Sequence, residues 1–391
     1  MNYIFSDNNY KNKLLKRFTE YVQIWTESDG TAADKGIFPS TQRQFDLANL
    51  LEKQLKTMGL KNVQVTKDCY VYGYMDGNTK SLQEEPVLLL AHMDTVDEVS
   101  GKNVKPVLSH KDDDIIISSD GSTLLGGDDK AGISAIMAAL EYLHENPQIA
   151  HSPVEVIFSP DEETGHGMDK VPLELIKSKS AYTVDGGAEG EMETECFNAW
   201  AATLTFTGKA CHTGDAKALG MINAASMAAD FSSQLPQNLK PETTENHEPF
   251  IALMNIEGSI EKATVSLLLR AFTLEEIEHE KKIIKEITAL VQKKFGGKVD
   301  VNYEQQYLNM KDKLDEHPQV VQKLENAYKQ ANVEIIRKPI RGGTDGSRLT
   351  EMGIPTPNIF TGGHEFHSRN EWVSLNSMCK ASDVLINLLI N

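Results

Sequence analysis

The sequence predicts an α/β fold: a mostly parallel, mixed sheet covered by helices, into which a smaller α+β unit of ferredoxin-like order is inserted. Three observations lead there. Apolar runs at 87–91, 154–158, 181–184 and 357–360 are nearly continuous and separated by helical patterns, as expected of strands buried on both faces. Between about 197 and 308 the texture changes to alternating strands and amphipathic helices in the order β-α-β-β-α-β. At 391 residues the chain is also longer than one hydrophobic core serves well, so two domains are expected. The boundaries read as 1–196 and 309–391 for a divided larger domain and 197–308 for the insertion.

The elements follow in order. Leu14, Leu15, Phe18, Tyr21, Val22 and Trp25 recur at helical spacing and predict an opening amphipathic helix. A second helix is expected after Pro39-Ser40-Thr41, with Thr41 and Gln44 as a capping box and Gly59 as its stop. Leu47, Leu51, Leu55 and Met58 form its apolar face. The Ala- and Gly-rich stretch 130–143 reads as a further helix between two buried strands. In the insertion, 200–206, 251–256, 265–272 and 299–303 read as strands and 221–231 as a small-residue helix. A longer helix opens on a Thr273/Glu276 capping box and closes at Gly296-Gly297.

The formal charge of −18 argues against nucleic acid or an anionic membrane as a partner, since both select basic surfaces. No apolar run approaches the roughly 18 residues of a membrane helix, and the opening MNYIFSDNNYKNKLLKRF lacks the apolar segment of a secretory signal. Cys69, Cys196, Cys211 and Cys379 are widely spaced without a CxxC pair, which suits free thiols in a reducing cytoplasm.

Five strand or loop ends carry the chemistry. His92 and Asp94 follow the run at 87–91 and point to the same side of an extended chain, so one can hold a metal while the other orients it. Alone, this His-x-Asp is equally well explained by a structural hydrogen bond. In Gly126-Gly127-Asp128-Asp129-Lys130, glycines let acid and backbone approach before a helix; helix capping explains one aspartate well and the other poorly. Asp161-Glu162-Glu163 crowds three acids after a strand, which repel unless a cation is present; adjacent carboxylates suit a division between metal ligation and proton transfer. Asp185 ends another strand, and His364 and His367 follow the last one. Each has an ordinary explanation, but five such endings converging by accident is much the less economical reading.

In this order, HMDTV, TLLGGDDKAG, SPDEETG, YTVDGGAEGE, PETTE, IRGGTDGSRL and FHSRNE resemble the di-zinc peptidase family that includes carboxypeptidase G and aminoacylase, and within it the tripeptide aminopeptidases. The resemblance covers essentially the whole chain. It implies that His92, Asp128 and Asp185 serve one zinc and Asp128, Glu163 and His367 the other, with Asp128 as the bridge. It further implies that Glu162 is the catalytic acid/base, Asp94 the partner of His92, and the insertion a lid and dimerisation domain. His212, in Ala210-Cys211-His212-Thr213, then matches a lid histidine that reaches the reaction oxyanion. Three features depart from the pattern: the short 107–122 segment, His364 where an aromatic residue is usual, and Trp25 where an aspartate is usual.

The charges are consistent with that implication. Three carboxylates and two neutral imidazoles carry −3 against the +4 of two zinc ions, and the surplus favours a bridging hydroxide, because zinc lowers the pKa of bound water to about 7. The donor set admits Mn or Co, with Zn preferred. The expected reaction is removal of the N-terminal residue from tripeptides. Asp129, Asp161 and Glu189 are expected to attract the substrate's ammonium group, and Arg270 and Arg341 to hold its far carboxylate. Dipeptidase, carboxypeptidase and N-acyl-amino-acid hydrolase activities share every ligand and remain alternatives. A metal-dependent phosphoesterase would call for more Lys or Arg than DDKAG supplies, and a non-catalytic binding protein would not explain Glu162 beside a full ligand set.

Overall fold

The computed structural model describes residues 3–78 and 85–390. The chain divides into two compact units. One comprises the chain up to Thr194, Met310–Lys338 and Thr344 onward; the other is Glu195–Asn309 with Pro339–Gly343.

An eight-stranded mixed sheet organises the first unit. At its centre Val154–Ser159, Val87–His92, Ala181–Gly186 and Asn358–Phe360 lie side by side and all parallel. Lys61–Val65 and Val71–Met75 continue the sheet antiparallel on one side, and Glu191–Glu193 with Ile336–Arg337 on the other. Successive residues of a strand face opposite sides. Leu89 and Ala91 accordingly join Leu14, Phe18, Ile136, Leu140 and Leu385 in one core, while Leu88 and Leu90 join Tyr72, Ile157 and Leu349 in another. Burial of both faces explains why the sequence shows runs rather than alternation, and each such aliphatic side chain contributes about 1.5–3 kcal/mol. Because the central strands are parallel, their carboxyl ends fall on one edge, where open α/β sheets gather ligands.

The helix Gly127–Glu145 is buried on nearly every side from Lys130 to Leu140. It lies so close to the sheet that a Cβ at Gly132 would stand 1.8 Å from the Val184 carbonyl oxygen. The opening helix, Asn8–Val22, ends before Trp25, which instead stacks beneath the Arg43 guanidinium at 3.6 Å. The second helix, Gln44–Thr57, has no side-chain cap. The expected Thr41/Gln44 capping box does not form, because the Gln44 amide donates to Asp161 at 2.7 Å. A four-stranded sheet built from Val107–Lys111, Asp114–Ser118, Trp372–Ser374 and Gly363–His364 had no counterpart in the sequence reading.

The second unit is a four-stranded antiparallel sheet with Asn198–Thr207 and Lys262–Ala271 inside and Phe250–Gly258 and Lys298–Tyr307 at its edges. With the helices Ala224–Ser233 and Leu274–Phe295 it is ferredoxin-like. The Thr273/Glu276 capping box is present, and the long helix closes on left-handed Gly296.

That helix buries Glu280, 1% exposed, and among the described residues neither carboxylate oxygen finds a hydrogen-bond donor. Burial, and then the Glu276 charge, push its pKa up to about 9, with Arg270 opposing. The folded protein thus keeps a proton that the unfolded chain releases near pH 4.5, so stability falls as pH rises from there towards 9. Glu280→Gln should stabilise the protein on the order of 2 kcal/mol at pH 8 and much less at pH 5. Thermal melts at the two pH values check this; equal gains at both would refute the assignment of the cost to ionisation.

Candidate metal centre

Four parallel strand ends and one helix start deliver the candidate ligands to a single point. His92 is the last residue of its strand, Asp185 lies near the end of the next, Glu162 and Glu163 occupy a short turn after Val154–Ser159, and His367 lies on the loop after Asn358–Phe360. Asp128, in the first turn of Gly127–Glu145, keeps a non-helical backbone (φ −83°, ψ 106°) that turns its side chain towards them.

Its two oxygens divide between two imidazoles. One lies 2.9 Å from His92 Nε2 and the other 3.2 Å from His367 Nε2. Around His92, an Asp185 oxygen stands 3.6 Å away; around His367, a Glu163 oxygen stands at 3.1 Å. Donors about 2.0–2.1 Å from a tetrahedral ion are separated by roughly 3.3 Å, so both groups have the spacing of ligands around a common ion. Asp129 also comes within metal-ligand spacing of His92 and Asp185. Its oxygens, however, accept from the Gly132 N–H at 3.0 Å and the His92 N–H at 3.3 Å, which makes it a brace for the turn.

Electrostatics favours cations in this place. Burial would raise the Asp128 carboxyl, yet hydrogen bonds from His367 and His92 outweigh it and hold it well below the usual carboxylate range. Glu163 is pushed up to about 8 by burial and by the charge of Asp128, and Asp185 to about 6 by burial and Asp128 against the pull of His92. His367 rises to about 11 through its bonds to Asp128 and Glu163. Three carboxylates that resist sharing their charge with one another, and two imidazoles among them, are a donor set that two divalent cations fit.

Asp94, fully buried, lies 3.4 Å from His92 Nδ1, although that nitrogen is nearer the Asp94 carbonyl at 3.1 Å. Its carboxylate has a second task that the sequence did not suggest: it accepts the backbone N–H groups of Glu162 at 3.0 Å and Glu163 at 3.2 Å. Asp161, left-handed at φ 56°, is held by the Ser40 N–H at 2.6 Å, the Ser40 hydroxyl at 2.5 Å and the Gln44 amide. The Pro39-Ser40-Thr41 segment therefore serves to fix the Glu162-Glu163 turn. Glu162 brings an oxygen within 4.0 Å of His92 Nε2.

Asp129, Asp161 and Glu189 do not remain free to attract an ammonium group. The first two are fully buried and hydrogen-bonded, and Glu189 accepts from Lys380 at 2.5 Å and from the Ser377 hydroxyl at 2.9 Å. His364 stacks on Trp372 with ring centres 3.9 Å apart, so it fills an aromatic position with a flat ring.

The remaining expected site residues belong to the second unit. His212 is exposed, and its Nδ1 accepts the Gly214 N–H at 3.1 Å. Arg270 is buried and donates to the Trp200 and Leu269 carbonyls at 3.3 and 3.0 Å and to Gln306 at 2.8 Å. Arg341 donates to the Asn246 and Glu248 carbonyls at 2.8 and 2.9 Å and to the Thr244 hydroxyl at 2.9 Å, which pins a loop of its own unit.

A family model described as peptidase family M20/M25/M40 matches residues 88–391. A relative named peptidase T, from Clostridium perfringens, is 41% identical over 404 residues, spanning 96% of this chain and 98% of the relative. The fold is that of an aminopeptidase PepT from Bacillus cereus, with a TM-score of 0.78 at 23% identity over 97% of this chain and 98% of that one. A Bacillus subtilis protein described as a dinuclear metal-binding peptidase of the M20 family superposes with a TM-score of 0.67 at 14% identity, covering 98% of both chains.

Proposed function

The chain belongs to peptidase family M20/M25/M40, and from that premise we propose that it is a two-metal aminopeptidase removing the N-terminal residue of tripeptides. It is a hydrolase acting on peptides. The observation that carries the two-metal reading is the placement of the two Asp128 oxygens, one at each imidazole. His92, Asp128 and Asp185 would hold one ion and Asp128, Glu163 and His367 the other; the nitrogen and oxygen donors favour Zn over Mn or Co.

When bound, such ions supply polarisation of the scissile carbonyl and a lowered pKa for water. The protein's own part is proton transfer and positioning. Glu162 accepts the proton of the attacking water and delivers it to the nitrogen of the leaving amine, so the C–N bond breaks to an amine rather than an amide anion. Asp94 keeps both neighbouring glutamates in place through their N–H groups.

For the second unit, the family resemblance supports His212 as a donor to the developing oxyanion. Arg270 is a candidate holder of the substrate's far carboxylate because its planar guanidinium can pair with one, though it already donates to Trp200, Leu269 and Gln306. Arg341, committed to its own loop, is a weaker candidate for that task. A homodimer formed through this unit and a cytoplasmic location belong to the same reading; among the described residues no helix is long and apolar enough to cross a membrane. His212→Ala should leave metal content unchanged and lower kcat by roughly 10²–10³-fold, the scale of a lost oxyanion donor. A fall in bound metal would identify it as a ligand instead.

A panel of tripeptides tests end specificity. Acetylating the amino end should abolish cleavage, and amidating the carboxyl end should mainly raise KM. Efficient hydrolysis of the acetylated peptide would overturn the aminopeptidase reading and favour an acyl-amino-acid hydrolase or a carboxypeptidase.

A further inference from the structure

We infer that Glu371 is a positioning residue of the metal centre, joining the turn that carries Asp128 to the loop that carries His367. The inference rests on the two-metal reading above. Glu371 is 1% exposed, and its carboxylate is taken up by three backbone donors. One oxygen accepts the Leu125 and Gly126 N–H groups, both at 2.8 Å; the other accepts the N–H of Asp128 itself at 3.0 Å.

The carboxylate sits on a firm base. Glu371 is four residues beyond His367, and the strand Trp372–Ser374 that follows pairs with Asp114–Ser118. His367 is held left-handed, at φ 57°, in a loop tied internally by the Ser368 hydroxyl donating to the Glu365 carbonyl at 2.7 Å. The turn presses on this base from the other side. A Cβ added at Gly127 would lie 2.6 Å from the Val373 side chain and 3.0 Å from a Glu371 oxygen. Buried Lys130, whose ammonium donates to the Ile24 carbonyl at 2.8 Å, attracts the Glu371 charge.

Only a carboxylate of this length does the work. Three N–H groups converge, and an ionised carboxylate accepts on both oxygens. An amide of the same shape has one acceptor and one donor, so it must set a donor against at least one N–H of the turn. Rotation of the Asp128 backbone would then degrade its approach to both imidazoles together. Glu371 touches no reacting atom; its effect passes through Asp128, as for groups that orient metal ligands from behind.

The test uses chelator-treated full-length protein titrated calorimetrically with Mn²⁺, alongside thermal melts of the same samples without metal. Wild type should take up two ions. Glu371→Gln should bind them about 10–100-fold more weakly, the usual loss when a ligand's orienting partner is changed. Gly127→Ala should shift affinity in the same direction, because its methyl would press on Val373 and on the Glu371 oxygen and move the turn while leaving the carboxylate itself in place. Unchanged Mn²⁺ affinity in Glu371→Gln, with lowered melting of the metal-free protein, would reduce Glu371 to a brace of the fold and overturn the inference. Should Glu371→Gln fail to fold, Gly127→Ala decides alone: wild-type affinity there overturns it, weakened affinity supports it. No Mn²⁺ uptake by wild type would instead remove the two-metal reading itself, a result the variants cannot mimic.

Discussion

Glu162→Gln should bind metal at the wild-type level and turn over peptides about 10²–10⁴-fold more slowly, the range that a lost general acid–base residue produces. Several features single out this glutamate. It is next to a candidate ligand, its backbone is fixed by Asp94, and an oxygen stands 4.0 Å from His92 Nε2, beyond the ligand spacing of its neighbours. Burial, followed by the charges of Asp185, Asp345 and Glu163, holds its pKa well above the usual carboxylate value despite the opposing charge of His92. A carboxylate so placed takes up a proton readily and can return it to an amine. Glutamine keeps the shape and removes the basicity. Glu163→Gln is the matched control, because it alters a ligand and should lower metal occupancy. Near-normal turnover by the metal-loaded Glu162→Gln protein would assign proton transfer to another group.

Most of the candidate ligands were legible in the sequence because they follow runs of residues buried on both faces, which announce both a strand and its end, while Asp128 stood out by its glycines before a helix. His92, Glu163 and Asp185 stand at three of these ends, and the parallel order of the strands then gathers them. What the sequence did not disclose is how the ligands are held. Asp161 meets Ser40 and Gln44 across more than a hundred residues, and Glu371 reaches Asp128 across 243, contacts for which local patterns leave no trace. The same contacts defeated local expectations. Gln44 looked like a capping residue, but a buried carboxylate needs its amide more than the helix does. Asp129 and Asp161 looked available to a substrate's ammonium group because their sequence neighbours are acidic, whereas burial has already matched each to backbone or side-chain donors. The sheet that includes Val107–Lys111 was missed for a different reason: that strand is exposed along its length and carries no periodic apolar signal. Arg341 was expected to hold a carboxylate because its planar guanidinium suits one, yet segment Pro339–Gly343 packs with the second unit, where carbonyls occupy its guanidinium.

Removing metal should have the largest effect of all, because the arrangement leaves little catalysis to the side chains alone. Glu162 can move a proton, but with Asp128, Glu163 and Asp185 converging nearby, the protein groups by themselves would repel the negative charge that builds on the carbonyl oxygen. Two cations held by these residues would reverse that sign and would lower the pKa of a water from 15.7 to about 7, a contribution no side chain here can replace. The most direct measurement is therefore a stoichiometric reconstitution. Protein stripped with a chelator is given Zn²⁺ in increments, with free-amino tripeptide hydrolysis and bound metal recorded on the same samples. Activity should be negligible without metal and should rise to saturate at two bound ions per chain. Undiminished hydrolysis by thoroughly stripped protein, or full activity with no more than a single ion bound, would contradict the two-metal reading.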